Sequence, residues 1–388
     1  MENKAAKKWL FYFLSLIIVL PPLERAFPVI KSKGLTGVSM PTENIKFRLS
    51  TWFDGSYEKQ KTLYINDNIG FRPDLIRMSN QIEFWLFKKL HAENAYIGHD
   101  NYLFDKEYVD EYEGVTYMGA EVARKELIKM KCIQDTLERL GKTFVFAYAP
   151  SKPYYIPEKI PDLLKPNHKR TISDYETFRA IGDSLKIKQL DYNALFMAMK
   201  DTTRNPIILK QGYHWSVYGS LLAADTMIKF IEKERKIKMP ELKLTAMHYS
   251  ETARDEDNDF VKFANLMFPI TKETYCYPDF LYYNDGTKTR PKTIYIGDSF
   301  TWQWIHFGFM QSTNSEWEFW YYFKSVWNQK IIDVNGESLK IANYNWQKQL
   351  SGTDCVVVLF TPRNLHLLAE KSSFVEKMYD YFYPGKQI

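Results

Sequence analysis

The stretch Thr293-Ile294-Tyr295-Ile296-Gly297-Asp298-Ser299-Phe300 decides how this chain reads. Its apolar start, Thr293 to Ile296, has the makeup of a short buried strand. The run stops at a glycine and delivers a serine just ahead of an expected helix. A strand ending in a tight turn exposes the serine hydroxyl beside unsatisfied backbone N–H groups, which can hold a developing oxyanion in acyl chemistry. Gly-Asp-Ser by itself is commonly an ordinary turn or a helix N-cap, so the functional reading needs a base. His214 supplies one. Of the seven histidines it alone is flanked like a catalytic residue, after a short strand Ile207 to Leu209 and before a helix opened by Ser216.

Outward from this pair, the chain alternates apolar strands with helices. A helix over roughly Gly119 to Leu140 precedes a strand Thr143 to Tyr148, which ends in Ala149-Pro150-Ser151-Lys152. A helix near Ser173 to Lys186 follows, with Ser173 as N-cap. The helix after Ser216 carries Leu221, Ala224, Met227, Ile228 and Ile231, and Cys355 to Phe360 is a last buried strand. The segment Lys236 to Lys292, with its acidic loop Asp255-Glu256-Asp257, reads as peripheral. Such alternation predicts an open α/β sheet whose ligands collect beyond the carboxyl ends of the strands. Ser151-Lys152, His214, Ser299 and Arg363-Asn364 all fall at those ends.

Nearer the amino terminus, Asn66-Asp67-Asn68-Ile69-Gly70-Phe71-Arg72 predicts a turn into a helix with Pro73 near its first position. Leu75, Met78, Ile82, Leu86 and Leu90 then recur at helical spacing. Tyr96 to Phe104 reads as a small hairpin around His99-Asp100-Asn101, and His99 reads as a solvated turn residue. Lys4, Lys7 and Lys8 precede an uncharged apolar run, Trp9 to Leu23. That order predicts a signal anchor over residues 1–25, favoured over a cleaved signal peptide of the same length because no small-residue cleavage site follows. The remaining chain, 26–388, would lie outside the cytoplasmic membrane, periplasmic or extracellular.

Composition bounds the rest. With 388 residues, 45% hydrophobic and 26% charged, the chain is that of a folded protein. A net charge of only +5, with no arginine-rich block, argues against a nucleic-acid partner. Cys132, Cys276 and Cys355 show no metal spacing and read as structural.

Four blocks carry a family resemblance, in order and spacing: Ile65 to Arg72, Ile97-Gly98-His99-Asp100-Asn101-Tyr102-Leu103-Phe104, Gly212-Tyr213-His214-Trp215, and Gly297-Asp298-Ser299-Phe300. Together they resemble the alginate O-acetyltransferase (AlgJ/AlgX-type, or DHHW) family, a branch of the SGNH hydrolases. The resemblance implies an SGNH-like three-layer α/β/α sandwich with a mainly parallel sheet, preceded by the membrane anchor helix. It also implies Ser299 as nucleophile and His214 as base. The family's triad aspartate stands two residues before the histidine, where this chain has Gly212. Asp191 and Asp201 are the expected substitutes, or Gln211 as an orienter of the ring in a Ser–His dyad.

Lys152, Arg363 and Asn364 are expected to bind acceptor or stabilise charge, and Trp215, Trp302 and Trp304 to form a sugar-stacking wall. The implied activity is O-acetylation of an exported bacterial polysaccharide, with acetyl groups delivered by a membrane-bound O-acyltransferase and no metal or cofactor required. Two alternatives share these residues: a carbohydrate esterase, and a non-catalytic glycan-binding or assembly subunit.

Overall fold

The computed structural model describes residues 4–37, 42–166, 169–334 and 336–388. The chain forms two compact units, one of Met1–Glu93 with Phe260–Ile270, the other of Asn94–Asp259 with Thr271–Ile388.

The larger unit is built on a seven-stranded sheet: β1 Thr143–Tyr148, β2 Gln189–Asp191, β3 Lys292–Gly297, β4 Glu316–Tyr321, β5 Ser325–Asn328, β6 Leu339–Lys340 and β7 Cys355–Phe360. Their spatial order is β6-β5-β4-β3-β7-β1-β2. The run from β4 to β2 is parallel throughout, while β5 and β6 add an antiparallel edge, so the sheet is mixed around a parallel centre. The chain's last strand, β7, lies between β3 and β1 in the middle of the sheet, which explains its unbroken apolar sequence.

Alternate residues of β1 serve two layers, as the pleat requires. Phe144, Phe146 and Tyr148 pack with the helices Ala120–Arg139, Asp174–Ser184 and Phe374–Phe382. Val145 and Ala147, with Ala149 just past the strand, pack with Tyr192–Met199, Val217–Arg235 and Thr301–His306. The result is a three-layer α/β/α sandwich. Ser173 caps its helix through a reciprocal capping box with Glu176, and Ser216 caps the helix Val217–Arg235.

Two readings of the sequence need correction. Ile207 to Leu209 is not a sheet strand; its only ladder contact is an isolated bridge from Ile208 to Trp215, so His214 is carried by a loop. The segment Lys236 to Lys292 is not peripheral. It forms a long hairpin, Glu241–Ser250 with Tyr275–Tyr283, whose Tyr275 and Tyr277 share a buried cluster with Leu209, Val217 and Leu221. The side chains of Asp255 and Glu256 lie outside the described residues.

In the smaller unit, the helix Lys4–Ala26 is long and apolar enough to cross a membrane. At 23 residues it outruns the apolar stretch seen in sequence, and about 1.5 Å per residue takes it past a hydrocarbon core of about 30 Å. Its end approaches the turn before the helix Arg72–Phe87: a Cβ on Gly70 would stand 2.3 Å from the Pro21 carbonyl oxygen. That closeness requires glycine. Leu75, Met78, Ile82 and Leu86 on this helix are exposed, contrary to the usual meaning of such spacing. Its buried side chains are Asn80, Gln81 and Phe84. The two amides hold backbone of the returning segment: Asn80 Nδ2 donates to Ala264 O at 2.9 Å, and Gln81 Oε1 accepts from Met267 N and Phe268 N.

Candidate active site

The turn that carries Ser299 is fixed by the sheet itself. Gly297 pairs with Leu359 in β7 and Tyr321 in β4, and a Cβ at 297 would fall 2.5 Å from Leu359 O. Only glycine lets the backbone of β7 pass this close. Asp298 then points inward, fully buried. Its Oδ2 accepts from Thr361 N at 2.7 Å, Thr361 Oγ1 at 2.9 Å and Asn364 Nδ2 at 2.8 Å, and its Oδ1 accepts from Phe300 N at 3.2 Å. Burial raises the carboxyl pKa, and these donors oppose the rise. Asp298 thus staples the turn after β3 to the turn after β7, leaving Ser299 half-buried at the surface of the site.

Ser299 Oγ lies 2.8 Å from His214 Nε2. On the far side of the ring, His214 Nδ1 lies 2.6 Å from Asp259 Oδ2. With a carboxylate facing Nδ1, that nitrogen carries the proton and Nε2 is left to accept from the serine. The other Asp259 oxygen accepts the Tyr213 backbone N–H at 2.6 Å. Phe300, buried, packs its ring 4.7 Å from the imidazole and closes one side. The three side chains form a serine–histidine–aspartate hydrogen-bonded chain, with the geometry that a proton relay requires.

The carboxylate that faces His214 Nδ1 is therefore none of the expected residues. Asp191 caps the helix Tyr192–Met199 through Ala194 N and also binds Tyr175 and Arg179, so its oxygens are engaged elsewhere. Asp201 is exposed in a turn. Gln211 is buried and donates to Thr271 O and Tyr275 OH. Asp259 opens the short helix Asp259–Phe263, where an acidic first residue looks like ordinary helix chemistry. Its one signal in the sequence is the acidic run just before it.

The expected binding residues also have other duties. Lys152 is buried, and its Nζ donates to the carbonyls of Leu103, Lys210 and Gly212. Asn364 belongs to the Asp298 staple, and Arg363 pairs with Glu107 and lies over the Tyr108 ring at 5.7 Å. The tryptophans form no wall. Trp215 and Trp304 are buried and stack on each other at 5.6 Å, with Trp304 Nε1 donating to Ser220 O. Trp302 packs against Phe319 and Trp327.

A mixed α/β/α sheet presenting a serine after one central strand, hydrogen-bonded through histidine to aspartate, is the arrangement of an acyl-handling, hydrolase-like domain. Residues 95–337, more than half of the chain, match the family model described as "SGNH hydrolase-like domain, acetyltransferase AlgX". The chain belongs to that family. No curated protein matches it. Among solved structures, the O-acetyltransferase domain of Pseudomonas putida AlgJ is similar at 16% identity and a TM-score of 0.49, covering 74% of this chain and 99% of that one. Pseudomonas aeruginosa AlgX is similar at 16% identity and 0.48, over 76% and 68% of the two chains. A DHHW family protein from Eubacterium siraeum follows at 13% and 0.39, over 67% and 90%.

Proposed function

We propose that this protein is an O-acetyltransferase acting on an exported bacterial polysaccharide through an acyl-enzyme on Ser299. The relay Asp259–His214–Ser299 carries the reading. In the first half-reaction His214 Nε2 takes the Ser299 proton as Oγ bonds to the acetyl carbonyl carbon. The donor's bond to that carbon breaks, and the donor leaves with the proton. In the second, His214 takes the proton of a sugar hydroxyl, whose oxygen attacks the same carbon; Oγ departs and recovers the proton. Asp259 holds the ring tautomer and offsets the imidazolium charge in both. The backbone N–H of Ser299 is the proposed first oxyanion donor.

Residues 1–25 act as the membrane anchor, holding the catalytic unit on the extracytoplasmic side. A membrane-bound O-acyltransferase is the proposed source of acetyl groups. The apolar helix Lys4–Ala26, behind its lysines, supports this placement.

Incubating the full chain with an acetyl donor and glycan oligomers tests the proposal: acetylated oligomer is expected, and Ser299→Ala abolishes it. Free acetate without transfer would instead mean a carbohydrate esterase, and cellular polymer acetylation unaffected by S299A would mean a binding subunit.

A further inference from the structure

The loop that carries His214 has no regular secondary structure from Lys210 to Gly212, so its backbone must be held from outside. Each residue of it is tied. Lys210 N donates to Glu273 Oε1 at 2.6 Å, the Gln211 side chain donates to Thr271 O, and Tyr213 N donates to Asp259. The carbonyls of Lys210 and Gly212 both receive Lys152 Nζ, at 3.1 and 2.6 Å. The same ammonium donates at 3.0 Å to Leu103 O, in the hairpin Ala95–Ile97 with Leu103–Asp105. Leu103 N in turn donates to Lys210 O, so hairpin and loop are joined twice around one cation.

We propose that Lys152 is a positioning residue for this site: by gathering three backbone carbonyls it fixes the peptide that aims His214 at Ser299. This rests on the acyl-transfer reading above. An ammonium is suited to the task because it brings three donors, whereas a neutral amine brings two and lacks the charge that strengthens each bond. Burying a charge is costly unless it is paired and hydrogen-bonded, and a lysine kept at this position needs a reason beyond filling space. Glu273 and Asp259 are the charged groups that favour its protonated form. Burial works against them and lowers the lysine pKa, so the cation can be titrated within reach of neutral pH. Where the family places its acid, this chain has Gly212, and here the backbone of that residue is what the cation holds.

The test follows the rate at which phenylmethylsulfonyl fluoride labels Ser299 in the full chain in detergent, for wild type and Lys152→Met. The variant should label at least about tenfold more slowly at acidic to neutral pH, with the ratio shrinking as pH rises and the wild-type lysine loses its proton. Equal rates, or a ratio constant with pH, overturn the proposal. Should K152M fail to fold, the wild-type profile decides. A labelling rate, corrected for reagent hydrolysis, that does not decline on the alkaline side also overturns it. A wild type that is not labelled at all, or an S299A variant that is, removes the acyl-transfer reading itself and this proposal with it.

Discussion

Ser299 and Asp259 stand at the two ends of one relay, yet they are held in opposite ways. The serine follows a strand hydrogen-bonded on both sides, and its turn is fixed by backbone register and a buried carboxylate. The aspartate stands outside the sheet, at the start of a five-residue helix, and is located by contacts with Tyr213 and His214. In the proposed reaction the nucleophile must meet its substrate within tenths of an ångström, and it follows a strand paired on both sides. An acid that needs only to face one ring nitrogen can come from elsewhere in the chain.

The largest expected effect is at the rigid end. Ser299→Ala should lower turnover by on the order of 10⁶, leaving only the residual contribution of binding and oxyanion stabilisation. Asp259→Asn should cost on the order of 10⁴ in turnover, with the Michaelis constant little changed, because the ring adopts the wrong tautomer. Steady-state kinetics with an aryl acetate separates the two. A D259N variant as active as wild type would remove Asp259 from the relay.

Stability sharpens the contrast further. Trp304→Ala empties a buried site packed on Trp215 and should cost about 3–5 kcal/mol in denaturant unfolding. Asn364→Ala takes one donor from the buried Asp298 and should cost about 1–3 kcal/mol, with a fall in activity as the Ser299 turn loosens.

A buried carboxyl away from the relay gives a signal that only a change of pH brings out. Burial raises Glu111 from its ordinary 4.5 to about 8. Between those values the folded chain keeps a proton that the unfolded chain has lost, so stability falls as pH rises through that window. Glu111→Gln should flatten this part of the melting temperature–pH curve.

What the sequence discloses follows the same division. β1, β3 and β7 are continuous apolar runs because both of their faces are covered, and such runs are visible by eye. β4 is harder to see because Glu318 interrupts it; its carboxylate is satisfied by Trp320 Nε1 and Tyr344 OH, a pairing no local pattern announces. Ser299 and His214 are legible since each sits in a short motif with a local mechanical reason. Asp259 is not, because its role depends on a contact across 45 positions of chain. Lys152 is visible as a strand-end lysine, but the direction of its ammonium depends on three carbonyls supplied by a distant hairpin strand and the loop before His214.

The helix Arg72–Phe87 has a practical consequence. Leu75, Met78, Ile82 and Leu86 turn a greasy stripe toward water, and Trp85 and Phe87 are open beside it. Cutting away the leading helix would therefore not by itself yield a well-behaved particle in plain buffer. Self-association that detergent reverses is the behaviour to expect on a sizing column.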